Sequence, residues 1–207
     1  MSFAKTPFTP FWLGCALFFV GFVLLPIEAS SGQNNSISYF DKRFKNTAID
    51  ISFLNTREQI TYIVFNHYIK KYESDFSYAK KHPESDVGFM TENPDQLIFL
   101  TDYDRALSDR YISLFKNSII PVVSYDRVDP KNPYRADQRG FYRFSDKKTG
   151  KIGFSLQIHN VRFAGRRKAT VIYSVMSNAR SGGGFSTKLI KKRNKWQIVE
   201  VKLGCKY

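Results

Sequence analysis

Imidazole is scarce in this chain, and His67, His82 and His159 are its three histidines. His67 falls beside the apolar face of an expected helix, three residues after Val64, which predicts a partly buried helical residue. His82 precedes Pro83 in a polar stretch and reads as a solvated loop residue. His159 lies in an alternating segment, on the face opposite Ile158 and with Gln157 and Ser155. No His-x-x-x-His or Cys-x-x-Cys spacing provides a zinc site, and no metal or other cofactor is expected. A serine nucleophile elbow is missing, and Ser181 to Gly184 lacks the Lys-Ser/Thr that a phosphate-binding loop requires.

The carboxylates have simpler roles. Asp102, Asp104 and Asp109 fall near an expected helix start, where negative charge stabilises the positive end of the dipole. Asp126, Asp129 and Asp137 alternate with Arg127, Lys131, Arg135 and Arg139. Mutual ion pairing accounts for them better than calcium binding, because the interleaved cations would repel a metal.

The basic residues carry more information. Lys and Arg number 32 against 18 Asp and Glu, a formal charge of +14. Arg162, Arg166, Arg167 and Lys168 flank one expected turn. Lys188, Lys191, Lys192, Arg193 and Lys195 flank another. In a strand meander two such turns lie at the same end or at opposite ends, and the sequence leaves both open. At one end they would form a cationic rim for an anionic partner. Otherwise they are solvating charge, with lysines protecting a sheet edge.

The elements that position these residues start with an export signal. Thr6 to Ile27 carries no charge and is densely apolar from Phe11 to Leu25. Pro26 then breaks the helix, and Ala29-Ser30-Ser31 supplies small residues suited to a signal peptidase. Residues 1–31 are therefore expected to be a signal peptide cleaved after Ala29 or Ser31. The alternative is an uncleaved anchor, since the run reaches the roughly 20 residues that span a bilayer. Either way the remainder is exported, periplasmic or secreted. Lys5 and Glu28 cancel, so the mature domain keeps the whole charge surplus. Cys15 would leave with the signal, and Cys205 alone would remain, expected to be buried at the end of the last strand or to pair between chains.

Residues 32–55 read as a loose leader and 56–207 as one domain. Thr56 with Gln59 makes a capping box, and Ile60, Ile63, Val64 and Tyr68 share one helical face, predicting a helix to about Tyr72. Ser74 to Pro83 reads as a polar connection. Asn93 capping Pro94 and Asp95 predicts a short helix through Leu100. Thr101 with Asp104 predicts another, burying Ala106, Leu107, Tyr111, Leu114 and Phe115. Residues 122–150 read as loop-rich. Ile152, Phe154, Leu156 and Ile158 then alternate with polar residues, as a half-buried strand does. Ala169, Val171, Tyr173 and Val175 repeat the pattern. Ser181 to Gly184 reads as a flexible connection to a third strand through Leu189 and Ile190, and Asn194-Lys195 turns the chain into a fourth, Trp196 to Leu203. Helices first and a meander last predict an α+β domain, N-terminal helices packed on a bent antiparallel sheet.

The segments Lys168-Ala169-Thr170-Val171, Gly184 to Leu189, and Asn194-Lys195-Trp196-Gln197-Ile198 resemble the closing meander of the nuclear transport factor 2-like (cystatin-like) superfamily. Asp129-Pro130 with Tyr134, Ala136, Asp137 and Gln138 resembles an Asp-Pro…Ala-Gln-Asp segment from a branch of uncharacterised exported bacterial proteins of that fold, with the last two residues exchanged here. The resemblance implies a cone-shaped sheet with helices packed into it. In the enzymes of that superfamily a His or Asp projecting into the cone acts as base, a role it would give His159.

Three functions are compatible with this reading. The first is a non-catalytic binding or adaptor protein for an acidic protein or an anionic envelope component, with immunity against a secreted toxin as one variant. The second is a small-molecule isomerase or hydrolase working in the cone cavity, and the third a membrane-anchored assembly subunit. Nucleic acid is disfavoured as a partner, because an exported domain rarely meets it and no aromatic-basic recognition motif occurs.

Overall fold

The computed structural model describes residues 50–85, 90, 95–178 and 180–206, with the side chains of 205 and 206 excluded. The expected targeting segment, residues 32–49 of the expected leader, the Asn93-Pro94 cap and the Cys205 thiol lie outside the described residues. Among the described residues no helix is long and apolar enough to cross a membrane.

Helix α1 spans Thr56–Lys81. Its cap is Asn55, one residue ahead of the expected Thr56. The Asn55 side chain accepts from the Glu58 backbone N–H, and the Glu58 carboxylate accepts from the Asn55 N–H at 2.9 Å. Gln59, the expected partner, instead donates to the Leu54 carbonyl. The helix also runs past Tyr72, because the buried stripe of Ile60, Val64, Phe65 and Ile69 continues through Glu73, Phe76 and Ala79. Polar Ser74 and Asp75 lie off that stripe and do not interrupt it. His82 ends the helix with φ −134° and ψ 68°, since the proline after it disfavours the helical region.

The first segment expected to be helical after α1 is a strand, β1, Leu97–Asp102. Ile98, Phe99 and Leu100 are fully buried, and an apolar run covered on both faces carries no period to tell strand from helix. The next helix begins seven residues later than Thr101–Asp104 suggested. Helix α2, Asp109–Ile112, is capped by Ser108 and continued by a 3-10 turn, Ser113–Phe115. Tyr111 and Phe115 are buried as expected. The loop-rich middle contains three short strands, β2 (Val122–Ser124), β3 (Tyr134–Ala136) and β4 (Tyr142–Ser145). Four long strands follow: β5 (Ile152–Phe163), β6 (Lys168–Asn178), β7 (Ser181–Lys192) and β8 (Lys195–Lys206). Ser181 to Gly184 thus belongs to β7 rather than to a flexible connection. The pairing there is close: a Cβ on Gly182 would sit 2.3 Å from the Val175 carbonyl oxygen.

The fold is α+β, with α1 laid on an eight-stranded open sheet ordered β2-β1-β5-β6-β7-β8, and with the β3–β4 hairpin joined through β4 to β5. The sheet is mixed rather than antiparallel throughout, because β1 runs parallel to both β2 and β5. Register shifts between Ile158 and Asn160, Met176 and Asn178, Gly183 and Phe185, and Lys188 and Leu189 bend its long strands. One core lies under α1 and includes Phe65, Leu156, Val171, Tyr173, Leu189 and Trp196. A second, on the opposite face, joins Leu97, Phe99, Val123 and Phe144. The first half of β5 is therefore buried on both faces, Ser155 and Gln157 included, where a half-buried strand was expected.

Candidate functional site

The two basic turns meet at one end of the sheet. β5 passes into β6 through a turn in which Gly165 takes φ +76° and the Ala164 N–H donates to the Lys168 carbonyl. β7 passes into β8 through Arg193 and Asn194, both left-handed at φ 48° and 63°. This is the two-residue hairpin geometry that asparagine tolerates. The turns are neighbours because β6 pairs with β7: Lys168 lies opposite Ile190, and the Lys191 N–H donates to the Arg167 carbonyl at 2.8 Å.

The charges at this end are mostly open. Arg162, Arg166, Arg167, Lys168, Lys192, Arg193 and Lys195 are exposed, and none has a carboxylate within ion-pairing distance among the described residues. The Lys191 ammonium lies 6.0 Å over the Trp196 ring. Lys192, Arg193, Lys195 and Gln197 bound a recess beside the second turn. Lys188 differs from the others. Its ammonium is 2.6 Å from Glu200, which Lys202 also approaches at 2.9 Å. Those two hydrogen bonds hold the Glu200 carboxyl below the usual range, so Lys188 is locally neutralised.

His159 occupies a separate place. It sits where the β5–β6 register shifts, and its Nε2 lies 2.7 Å from the buried Ser174 hydroxyl. Its ring stacks on Tyr103, centroids 4.9 Å apart. The Tyr103 hydroxyl donates to Gln157 Oε1, and Gln157 Nε2 donates to Ser155 Oγ. Partial burial lowers the imidazole pKa, which favours the neutral ring. Among the described residues no carboxylate hydrogen-bonds the ring, so the base–orienter half of a triad is missing. Tyr103 and Ser174 escaped sequence reasoning because they arrive from the end of β1 and from β6; only the pairing of those strands with β5 brings them to His159.

A cavity of about 410 Å³ opens between α1 and the sheet, lined by Tyr68, Tyr72, Phe154, Val175, Phe185 and Leu203, with Arg143 and Gln96 as polar members. The Tyr72 hydroxyl donates to Gln96 Oε1, and burial pushes its pKa up to about 12. His159 does not line this cavity. The base and the cavity that the resemblance would combine are therefore apart. His67 lies towards the outer side of α1, where partial burial and then the nearby Lys71 lower its imidazole pKa, and His82 stacks on Tyr78 at the helix end.

The expected ion pairing holds for Asp137 but with another partner, whereas Asp126 accepts from the Ser124 hydroxyl and Asp129 from a backbone N–H. Arg57 bridges Asp102 and Asp104. Asp137 accepts from Arg143 Nε and from the backbone N–H groups of Arg139 and Phe141. Arg127 makes a two-pronged contact with Asp146, and Asp129 accepts from the Lys131 N–H. Asp109 stands in the first turn of α2, as its dipole role requires, whereas Asp102 ends a strand. Among the described residues no three metal-ligating side chains cluster. No family model, curated protein or solved structure matches this chain.

Proposed function

We propose that this chain is an exported, non-catalytic binding or adaptor protein that uses the basic end of its sheet to hold an acidic protein or an anionic envelope component. The observation that carries the reading is the convergence of the two basic turns, which gathers Arg162, Arg166, Arg167, Lys168, Lys191, Lys192 and Arg193 at one end of the sheet with no carboxylate in ion-pairing distance among the described residues. Aligned cations of one sign focus the field and steer an anionic partner. Blocking a toxin, as an immunity protein does, is one form this role takes. The uncharged stretch from Thr6 to Ile27 supports export to the periplasm or medium. The long helix laid across a curved sheet that ends in a meander supports a nuclear transport factor 2-like assignment.

The small-molecule isomerase or hydrolase is favoured only by the aromatic cavity, and His159 stands outside it. If His159 nevertheless serves as a base, His159→Ala abolishes turnover while charge reversals at the turns leave it intact. The binding reading is tested by affinity capture of the protein from its native envelope at 0.1 M and 1 M salt. The Debye length falls from about 10 Å to about 3 Å between these conditions, so the proposed partner is retained at the lower salt and lost at the higher. A partner retained equally at both salts overturns the proposal.

A further inference from the structure

Strand β8 is an edge strand among the described residues: β7 pairs with one side of it, and no described strand borders the other. It runs the twelve residues Lys195–Lys206, whereas the opposite edge, β2, has three. Long edges template pairing with another chain unless something blocks them. This one also exposes apolar side chains, with Val199, Val201 and Leu203 at 51%, 43% and 53%.

The segment Val199-Glu200-Val201-Lys202-Leu203 is complementary to itself. In an antiparallel pair of two copies related by a two-fold axis at Val201, position 201 − n of one copy faces 201 + n of the other. Val201 then meets Val201, Val199 meets Leu203, and Glu200 meets Lys202 on each side of the axis. Neighbouring registers lose this match. An axis at Glu200 sets carboxylate against carboxylate, and one at Lys202 sets ammonium against ammonium; like charges directly opposite are destabilising. The register at Val201 also centres the strand, whose regular stretch ends at Leu203, where a second register shift, between Gly183 and Phe185, adds an extra residue. The register shift between Lys188 and Leu189 leaves Val199 as the extra residue opposite β7, outside the central Glu200–Lys202 triplet.

The net charge of +14 on each copy opposes self-association, and the antiparallel register relieves this. The basic turn lies at the Lys195 end, so the two basic ends point apart, separated by roughly 40 Å at about 3.3 Å per residue over the strand. That far exceeds the Debye length of about 8 Å at physiological salt.

We propose that two copies of this chain pair β8 to β8 in this register, extending one continuous sheet across the dimer and presenting a basic end at each extremity. The proposal rests on the edge and its sequence and is independent of the partner-binding reading above.

Cysteine cross-linking of the full chain, with Cys15 and Cys205 replaced by serine, reads the register directly. Val201→Cys meets its own copy across the axis and forms a disulfide-linked dimer under mild oxidation. Val199→Cys and Leu203→Cys each fail to link alone, because the same residue in the two copies is displaced by four positions, roughly 13 Å, but they link to each other when mixed. Glu200→Lys raises the dimer dissociation constant roughly tenfold, and adding Lys202→Glu together with Lys188→Glu, which faces position 200 within the chain, restores it. A Val201→Cys chain that stays monomeric or links to a different protein overturns the proposal. So does a Val199→Cys chain that links to itself as readily as Val201→Cys, or a Glu200→Lys defect that Lys202→Glu with Lys188→Glu does not repair.

Discussion

Asp146 and Trp196 show two different ways in which one side chain holds this domain. Asp146 is buried. It accepts two hydrogen bonds from Arg127, at 2.8 and 2.5 Å, and two more from the Thr149 N–H and hydroxyl. Removing it leaves Arg127 facing an empty site, so Asp146→Ala should cost about 2–4 kcal/mol in a denaturant titration. Arg127 and Thr149 hold the Asp146 carboxyl below the usual range. Its folded-state pKa therefore lies below the unfolded value of about 3.9, and the stabilisation is present above about pH 4 and lost as pH falls through the folded value. Asp146→Asn should accordingly lose less stability than the wild type on acidification from about pH 5 to pH 2, and parallel urea curves would contradict this. Trp196 is a packing residue. It is 6% exposed in the core under α1, and its Nε1 has no hydrogen-bond partner among the described residues. Trp196→Ala should cost about 3–5 kcal/mol, and Trp196→Phe much less, because no hydrogen bond is lost. The burial of Trp196 was legible in the strand pattern. The Asp146 contact was not, because its partner lies nineteen residues away in a segment without periodicity.

Elements were legible where apolar and polar residues alternate along the chain, even in the first half of β5, whose Ser155 and Gln157 are buried. The meander from Ile152 onward announces itself by alternation, and the turn at Asn194 by its residue types. β1 failed because it is buried on both faces, and the second half of α1 because Ser74 and Asp75 look like a loop until Phe76 and Ala79 are seen to continue its stripe. The junction of β1 and β5 depends on Gly153, where an added Cβ would lie 2.0 Å from the Leu97 carbonyl oxygen. Backbone cannot yield there without breaking the parallel pair, so Gly153→Ala should cost at least about 2 kcal/mol. A melting temperature within a degree of wild type would show that β1 and β5 are less closely apposed than this.

At the scale of the whole molecule, the α+β class follows from the order of patterns along the chain. Its mixed sheet does not, because parallel pairing of β1 with β5 joins residues 56 positions apart in sequence, Leu97 with Gly153. The same holds for the candidate site. Each basic turn is visible in sequence, while their adjacency comes only from the β6–β7 register that sets Arg167 beside Lys191. The central claim is that the two groups act as one surface, and reversing each group separately tests it most directly. Arg166-Arg167-Lys168 and Lys191-Lys192-Arg193 are changed in turn to glutamates, and affinity for the captured partner is measured across a salt series. Exposed charges contribute little to stability, so the fold should survive both changes. Either reversal alone is expected to weaken the same partner and flatten its salt dependence. Unchanged affinity and unchanged salt dependence in both variants would contradict the account, leaving the charge as solvation only.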